Sequence, residues 1–171
     1  IDNITFAKRS ERLSGNLSVA DCPRLAELIA SQASESTTKA GDTNHDDAIH
    51  YDLNGETDAL GRYFLHLTIN ATLATSCQRC LDPMALDFNL HFDYMISEAD
   101  LNDAAAEEVE DVDEYDLQEA SQAMDLRMQI EDEIIMALPI APMHDHDCGR
   151  SSMQSGEKPN PFAVLKGLIK S

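Results

Sequence analysis

The most constraining feature of this sequence is an alternation of apolar and polar residues that runs from residue 48 to residue 96. The segments 63–73 and 84–96 each place an apolar side chain at nearly every second position. Successive side chains of a β-strand point to opposite faces, so these segments predict long strands with one buried face and one wet face. A shorter run at 49–53 predicts a third strand, and Asn54-Gly55 after it is typical of a hairpin turn. Both long runs exceed the usual strand length, so we expect a bend or bulge in each.

Helical periodicity appears on both sides of this predicted sheet. The stretch 4–13 is loosely helical, and a clearer helix starts near Asp21, with Pro23 in its first turn. Between residues 126 and 138, large apolar side chains recur every four residues, and a proline ends the pattern. Asn160-Pro161 is typical of a helix start and predicts a short C-terminal helix. The apolar residues of this helix would dock on the rest of the domain: Phe162, Leu165, Leu168 and Ile169.

These patterns predict the α+β class. We expect an antiparallel sheet of long strands, either open or closed into a partial barrel. N-terminal, post-sheet and C-terminal helices would pack against it.

Charge is distributed unevenly along the chain. The protein carries 12 Lys+Arg against 32 Asp+Glu, a formal net charge of −20. From residue 98 to residue 119 carboxylates are dense, and lysine and arginine are absent. Such a stretch cannot bury enough apolar surface to pack, so we expect 98–122 to be an acidic flexible insert. It would serve as a linker, as a solubilising bristle, or as a mimic of nucleic acid that docks a basic protein.

We expect one domain over 1–171, with 149–160 as a flexible linker to the C-terminal helix.

The composition argues against several classes of protein. No run of about 18 or more apolar residues occurs, so neither a transmembrane helix nor a membrane partner is expected. The first residues, Ile1-Asp2-Asn3, do not look like a secretion signal, and we expect a cytoplasmic protein. The acidic balance disfavours nonspecific coating of nucleic acid, because neutralising phosphate requires lysine and arginine. The sequence has no phosphate-binding loop, nucleophile elbow or His-Glu-x-x-His, so we expect neither an enzyme nor a small-molecule substrate.

Four candidate metal ligands fall into two groups along the sequence. Cys77 and Cys80 form a Cys-x-x-Cys between the two long strands, and His144 and Cys148 follow the last long helix. Structural zinc takes about four cysteine or histidine ligands in tetrahedral geometry. These residues would therefore form a Cys₃His site that ties the post-helix loop to the sheet. The alternative is a set of reduced thiols without a metal. A thioredoxin-like role fits less well, because it needs the pair at a strand-to-helix junction.

Other polar residues have simpler explanations. The triplet Glu131-Asp132-Glu133 contains three carboxylates, but adjacent helix positions do not share a face. We therefore expect a solvated helix flank there rather than a cation site. His66 and His91 fall on the polar faces of predicted strands, where we expect solvated surface histidines.

Three separated segments occur together in one order. They are Cys77-Gln-Arg-Cys-Leu-Asp-Pro-Met84, the stretch from Ile130 to Asp145 containing Leu-Pro-Ile-Ala-Pro-Met-His, and Lys158-Pro-Asn-Pro-Phe-Ala-Val-Leu165. With Phe6-Ala-Lys-Arg and Gly15 near the N-terminus, they closely resemble the bacterial large ribosomal RNA subunit accumulation protein family, YceD. The likeness covers essentially the whole chain, and the acidic stretch is similar to that family's variable acidic insert.

The resemblance implies a non-enzymatic cytoplasmic factor that supports synthesis, processing or stability of 23S (large-subunit) ribosomal RNA. It would bind either the large-subunit rRNA precursor or a basic ribosomal or assembly protein. Direct RNA contact would need a local basic surface, and its candidate residues are Arg79, Lys158, Lys166 and Lys170. A protein partner would instead bind the acidic insert or the exposed sheet face. We favour the protein partner.

A metal- or redox-responsive cysteine module is the alternative function. Some family members are similar at the cysteine site but carry additional cysteines after the long helix, which implies a fuller metal site. This sequence departs from that pattern, because only Cys148 remains there, with His144 and His146 nearby. Zinc is the one cofactor that the sequence suggests, with Cys77, Cys80, Cys148 and His144 as its ligands.

Overall fold

The computed structural model of this protein describes residues 1–32, 48–97 and 115–148. Its helices are α1 (Asn3–Lys8), α2 (Pro23–Gln32) and α3 (Leu126–Ala137). Its strands are β1 (Arg12–Ser18), β2 (Ala48–Thr57), β3 (Tyr63–Ser76), β4 (Pro83–Ser97) and β5 (Asp116–Glu119). A single 3-10 turn precedes α2. In this part of the chain, none of the helices has the length and apolar character that a membrane crossing requires.

The strands form one mixed sheet in the order β1-β2-β3-β4-β5. The first three pairings are antiparallel, whereas β5 lies parallel to the end of β4, with Asp116 opposite Tyr94. The α+β class is therefore confirmed, but one detail of the prediction is wrong. The sheet is not wholly antiparallel, because β5 runs parallel to β4. Of the two predicted alternatives, the described residues form the open sheet, because β1 and β5 lie at opposite edges.

The two longest strands pair without a break. The β3–β4 ladder runs from Tyr63–Ile96 to Ser76–Pro83 in constant register, so of the predicted bend or bulge, the bulge is absent from this pairing. A bulge would turn every following apolar side chain to the wet face, because side-chain direction in a strand has a period of two. The predicted assignment of faces is confirmed in β3, where Leu67 is 1% exposed and Ile69 is fully buried.

The turn between β2 and β3 lies later than predicted. Asn54 and Gly55 pair inside the ladder, and the chain turns at residues 58–62, where the Asp58 carboxylate accepts backbone N–H bonds from Leu60 and Arg62. Gly55 is required for another reason. A Cβ atom there would lie 2.7 Å from the backbone oxygen of Phe6, so glycine lets α1 pack closely against β2.

Two strands were not expected from the sequence. β1 occupies part of the stretch 4–13 that was predicted to be helical. β5 lies within 98–122, so the predicted insert is wrong at its C-terminal end. Asn3 helps to fasten this strand, because its side chain donates to the Glu119 carbonyl and accepts from the Ser121 N–H, both at 2.9 Å. The rest of the insert, 98–114, and the predicted linker and C-terminal helix lie outside the described residues.

An aliphatic core fills the space between the sheet and the helices. It joins the inner faces of β2, β3 and β4 to Phe6 of α1, Leu25 of α2, and Ile130 and Ile134 of α3. The predicted four-residue period is confirmed at Ile130 and Ile134, which are both fully buried, and α3 ends just before Pro139 as predicted. Packing of α3 over the sheet carries the loop that follows it towards the connection between β3 and β4.

Candidate metal centre

The connection between β3 and β4 is a tight turn built around Cys77 and Cys80. The Cys77 carbonyl accepts a hydrogen bond from the Leu81 N–H at 2.8 Å, and the Cys77 N–H donates to the Asp82 carbonyl at 2.9 Å. The Arg79 N–H donates to the Cys77 sulfur at 3.4 Å. Both cysteines are buried and neither forms a disulfide. The turn therefore presents two reduced sulfurs close together, as the two-residue gap predicted.

The loop after α3 completes a cluster with this turn. The Gln78 N–H donates to the Pro142 carbonyl at 2.8 Å, which holds the loop over the cysteines. The Cys148 and Cys77 sulfurs are 3.5 Å apart, as are the His144 Nδ1 and Cys80 sulfur atoms. Four ligand atoms, one from each predicted residue, lie within 4.8 Å of one another: those of Cys77, Cys80, His144 and Cys148.

This donor set suits a thiophilic ion with tetrahedral coordination. At metal–sulfur bond lengths of about 2.3 Å, two sulfurs around such an ion lie about 3.8 Å apart. The observed separation of the Cys77 and Cys148 sulfurs, 3.5 Å, is close to that value. Thiols are weak hydrogen-bond donors and acceptors, so without a cation these buried groups satisfy one another poorly. The cluster could therefore hold a metal ion, and four protein ligands would fill its coordination shell.

Local hydrogen bonds favour a thiolate at Cys77. Burial opposes its ionisation, but the backbone N–H groups of Cys80, His144 and Arg79 outweigh burial and lower the pKa of Cys77 to about 5. The Asp82 N–H lowers the pKa of Cys80, but burial and the neighbouring thiols act in the other direction and raise it to about 11. The cluster therefore favours a thiolate at Cys77 over one at Cys80, and a bound metal ion would displace the remaining thiol protons.

Leu81 follows the second cysteine with a positive φ of 65°, which is costly for any residue with a Cβ atom. We expect Leu81→Val to lower the free energy of unfolding by about 1–2 kcal/mol, because β-branched residues fit this region least. Leu81→Gly is expected to change it by less than about 1 kcal/mol, because relief of strain offsets the entropy that glycine loses. Urea unfolding of both variants beside the wild type gives the difference, and equal stabilities of the two variants would contradict this interpretation.

Arg79, a predicted RNA-contacting residue, lies at the same cluster. Its Nη2 donates to the His144 carbonyl at 3.1 Å, and its Nη1 lies 3.5 Å from the Asp147 carboxylate. The guanidinium therefore holds the loop that carries His144, while the Arg79 side chain stays 35% exposed. RNA contact by Arg79 remains a prediction. The other predicted cations lie outside the described residues: Lys158, Lys166 and Lys170.

The acidic triplet of α3 is not a solvated flank, which corrects the sequence-based interpretation. Glu131 is only 3% exposed, and its Oε1 accepts backbone N–H bonds from Arg24 at 2.7 Å and Leu25 at 3.0 Å. Its Oε2 pairs with the Arg24 guanidinium at 3.0 Å. Glu133 accepts a hydrogen bond from the Tyr94 hydroxyl at 2.7 Å. These carboxylates join α3 to α2 and β4, and so fix the helix that leads to the loop carrying His144 and Cys148.

Glu131 serves as the N-terminal cap of a helix far away in sequence. Pro23 begins α2 and has no N–H, so Arg24 and Leu25 carry the first unsatisfied donors of that helix. Burial opposes ionisation of Glu131, but these donors and the guanidinium outweigh burial and lower its pKa. The sequence offers no local signal of this role, because the donors that Glu131 binds lie 107 and 106 residues away along the chain.

The wet face of β1–β4, which we call the open face, is predominantly acidic. His66 lies on this face as predicted, but it is not a solvated histidine, because its ring nitrogens lie against the carboxylates of Asp93 and Glu56. His91 also lies there as predicted, beside Thr68. Four carboxylates project from these strands on this face: Asp52, Glu56, Asp87 and Asp93. Arg12 is a cation on the same face, and its guanidinium pairs with the Asp52 carboxylate at 2.6 Å.

The fold and the cluster define an α+β domain in which a Cys₃His site joins a strand connection to the loop after a helix. Residues 65–169, which include all four cluster residues, match the family described as Large ribosomal RNA subunit accumulation protein YceD. The chain belongs to this family.

A similar relative is the Large ribosomal RNA subunit accumulation protein YceD of Haemophilus influenzae, which is 34% identical over 103 residues. That match covers 54% of this chain, and it spans 57% of the relative's length. No solved structure matches this chain.

Proposed function

We propose that this protein is a non-enzymatic factor that supports the accumulation of large-subunit rRNA, and that it docks onto a basic ribosomal or assembly protein in the cytoplasm. The observation that carries the first part is the family match over residues 65–169, because the family's description names that role. The similar protein from Haemophilus influenzae bears the same description.

The charge of the open face supports a protein partner. Asp87 and Asp93 project from β4 and are exposed, and Arg12 on the same face is already paired with Asp52. A phosphate backbone would be repelled by this surface, whereas a lysine- and arginine-rich protein would be attracted to it. The net charge of −20 acts in the same direction over longer distances.

We further propose that the Cys₃His cluster binds Zn²⁺ as a structural ion. Zinc would hold the loop after α3 against the β3–β4 connection and so keep that end of the molecule in one conformation. A catalytic zinc site keeps one coordination position open. The presence of four protein ligands here supports a structural rather than an enzymatic role.

Two charge variants separate a protein partner from direct RNA binding. Asp87→Asn/Asp93→Asn removes two carboxylates from the open face, whereas Glu11→Gln/Glu27→Gln removes the same charge from exposed positions elsewhere. At low salt, we expect the first double variant to bind basic large-subunit proteins about tenfold more weakly than wild type, and the second to differ by less than about twofold. Affinities would be measured by titration against individual purified ribosomal proteins.

A salt series with large-subunit rRNA fragments provides the opposing measurement. We expect weak binding with a shallow dependence on salt. Tight binding that disappears when Arg79 and the tail lysines are replaced by glutamine would instead establish direct RNA contact. Replacing 98–114 by a neutral linker of equal length, with β5 intact, separates the contribution of the acidic segment from that of the open face.

A metal- or redox-responsive module is the second candidate, and one observation favours it. The Cys77 and Cys148 sulfurs lie 3.5 Å apart, and Cys148 is only half-buried. A responsive module would release its metal reversibly under mild peroxide, and its affinity for the partner would change when the metal is released. Unchanged partner binding by a Cys77→Ser/Cys80→Ser variant would leave this function without support.

A further inference from the structure

The inner face of β4 carries a strip of apolar side chains that is only partly covered. Five alternate residues of this strand are neither buried nor fully exposed, and we call them the β4 strip: Met84, Leu86, Phe88, Leu90 and Phe92. The residues opposite two of them on β3, Leu67 and Ile69, are essentially buried. An apolar strip of this length is normally covered in a soluble protein.

The backbone beside the β4 strip is also open in the described structure. β5 pairs only with residues 94–97 of β4, so residues 83–93 have β3 on one side and no strand on the other among the described residues. An exposed apolar edge of this length would pair with other chains unless something covers it. Because the β4 strip and the unpaired edge lie side by side, one segment of chain could cover both.

The described chain ends beside the β4 strip. Residues 84–87 and 143–146 line one open cavity of about 520 Å³, and Cys148, the last described residue, contacts Cys77 just before β4. The strip spans about 26 Å, and residues 149–159 can extend to about 36 Å. A segment that begins near residue 160 can therefore reach every part of the strip.

The sequence of 160–170 is complementary to this surface. Its apolar residues recur at helical spacing, with Lys166 at the edge of that apolar stripe on a helical wheel and Lys170 further round. The cavity at the start of the strip includes Asp145, which would attract those lysines. The acidic segment 98–114 is the alternative occupant, but its carboxylates would be repelled by the same aspartate. The family match also extends to residue 169, so it includes this segment.

We propose that the C-terminal segment 160–170 docks on the β4 strip of its own chain and covers the open edge beside it. This inference is independent of the proposed function, because it concerns how the protein covers its own apolar surface. It also assigns the apolar residues Phe162, Leu165, Leu168 and Ile169 a binding surface.

Photo-cross-linking in the full chain tests the docking directly. A benzoylphenylalanine probe would replace Leu86 on the strip or, as the control, Asn89 on the open face. Mixing ¹⁵N-labelled and unlabelled protein separates links within one chain from links between chains. We expect the Leu86 probe to link to peptides containing 160–170 of the same chain, and the Asn89 probe not to do so. Links between copies, links to 98–114, or equal yields from both probes would overturn the proposal.

A second measurement needs no probe in the sheet. Leu165→Gln removes an apolar contact from the segment, whereas Ala163→Gln places the same side chain on the side of the helical wheel that faces away from the apolar residues. We expect amide hydrogen exchange over residues 84–92 to accelerate about tenfold in Leu165→Gln and to stay at the wild-type rate in Ala163→Gln. Equal exchange in the two variants would overturn the proposal, whatever the cross-linking yield.

Discussion

Replacing Glu131 by alanine is expected to lower the free energy of unfolding by about 3–4 kcal/mol. The substitution leaves the first N–H groups of α2 without their acceptor, and it leaves the Arg24 guanidinium with Asp132 alone. Breaking a buried pair by removing one partner is among the most damaging single changes in a protein, because the remaining groups lose their compensation. Urea denaturation followed by circular dichroism measures the loss.

Two variants separate this role from charge alone. Glu131→Gln keeps a carbonyl acceptor for the α2 donors and is expected to cost about half as much as alanine. Asp132→Ala removes the neighbouring carboxylate, which also pairs with Arg24 but is half exposed, so it is expected to cost less than about 1 kcal/mol. Similar losses for Glu131→Ala and Asp132→Ala would show that the buried cap is not the source of the stability.

The Glu131 pair also predicts a pH dependence. Its pKa is lower in the folded protein than in the unfolded chain, so the unfolded state takes up a proton first as the pH falls. The stabilisation is therefore complete above the ordinary glutamate pKa and is lost as the pH falls through the lower folded value. Between about pH 5 and pH 3, wild-type stability is expected to fall more steeply than that of Glu131→Gln. Parallel curves in that range would contradict the assignment.

The metal centre gives the second large effect. Protein purified without added metal is expected to contain about one zinc ion per chain, and His144→Ala is expected to lose most of it. Cys77→Ser/Cys80→Ser is expected to lose all of it, because two thiolate ligands are removed together. Loss of zinc should lower the melting temperature and release the loop after α3, since binding of a structural ion is coupled to folding. Elemental analysis and thermal scans of the same samples give both values.

His146→Ala is the matched control for the metal centre. His146 stacks on His144 with ring centroids 4.8 Å apart, but it is not among the four clustered ligands. This variant should keep its zinc and its melting temperature to within a few degrees. Equal zinc content in His144→Ala and His146→Ala would remove His144 from the ligand set. Wild-type protein that contains no zinc and takes up none would argue against the site.

Much of the fold could be predicted because its signals are local. The alternation of apolar and polar residues over 63–73 and 84–96 indicates which side chains face the core, and each apolar residue in it indicates the same face. The four-residue period ending at Pro139 defines α3 in the same way. The Cys77–Cys80 gap and the later His144 and Cys148 were enough to suggest one site, because few residue types ligate metals.

The remaining features depend on contacts between distant parts of the chain. β1 has only Leu13 and Leu17 as large apolar residues, and β5 is a four-residue strand in acidic sequence that is held by β4 and Asn3. Its parallel pairing follows from the path of the chain rather than from any local pattern. Glu131 binds α2 across a separation of 107 residues, so its burial could not be inferred from its acidic neighbours.

The most direct test is the ratio of large- to small-subunit rRNA in the native host after deletion of the gene. Strains would be complemented with wild type, His144→Ala or His146→Ala at matched protein levels. We expect a lowered ratio in the deletion strain, recovery with wild type and His146→Ala, and poor recovery with His144→Ala. An unchanged ratio in the deletion strain would contradict the proposed function, and full recovery with a zinc-free His144→Ala protein would contradict the role given to the metal centre.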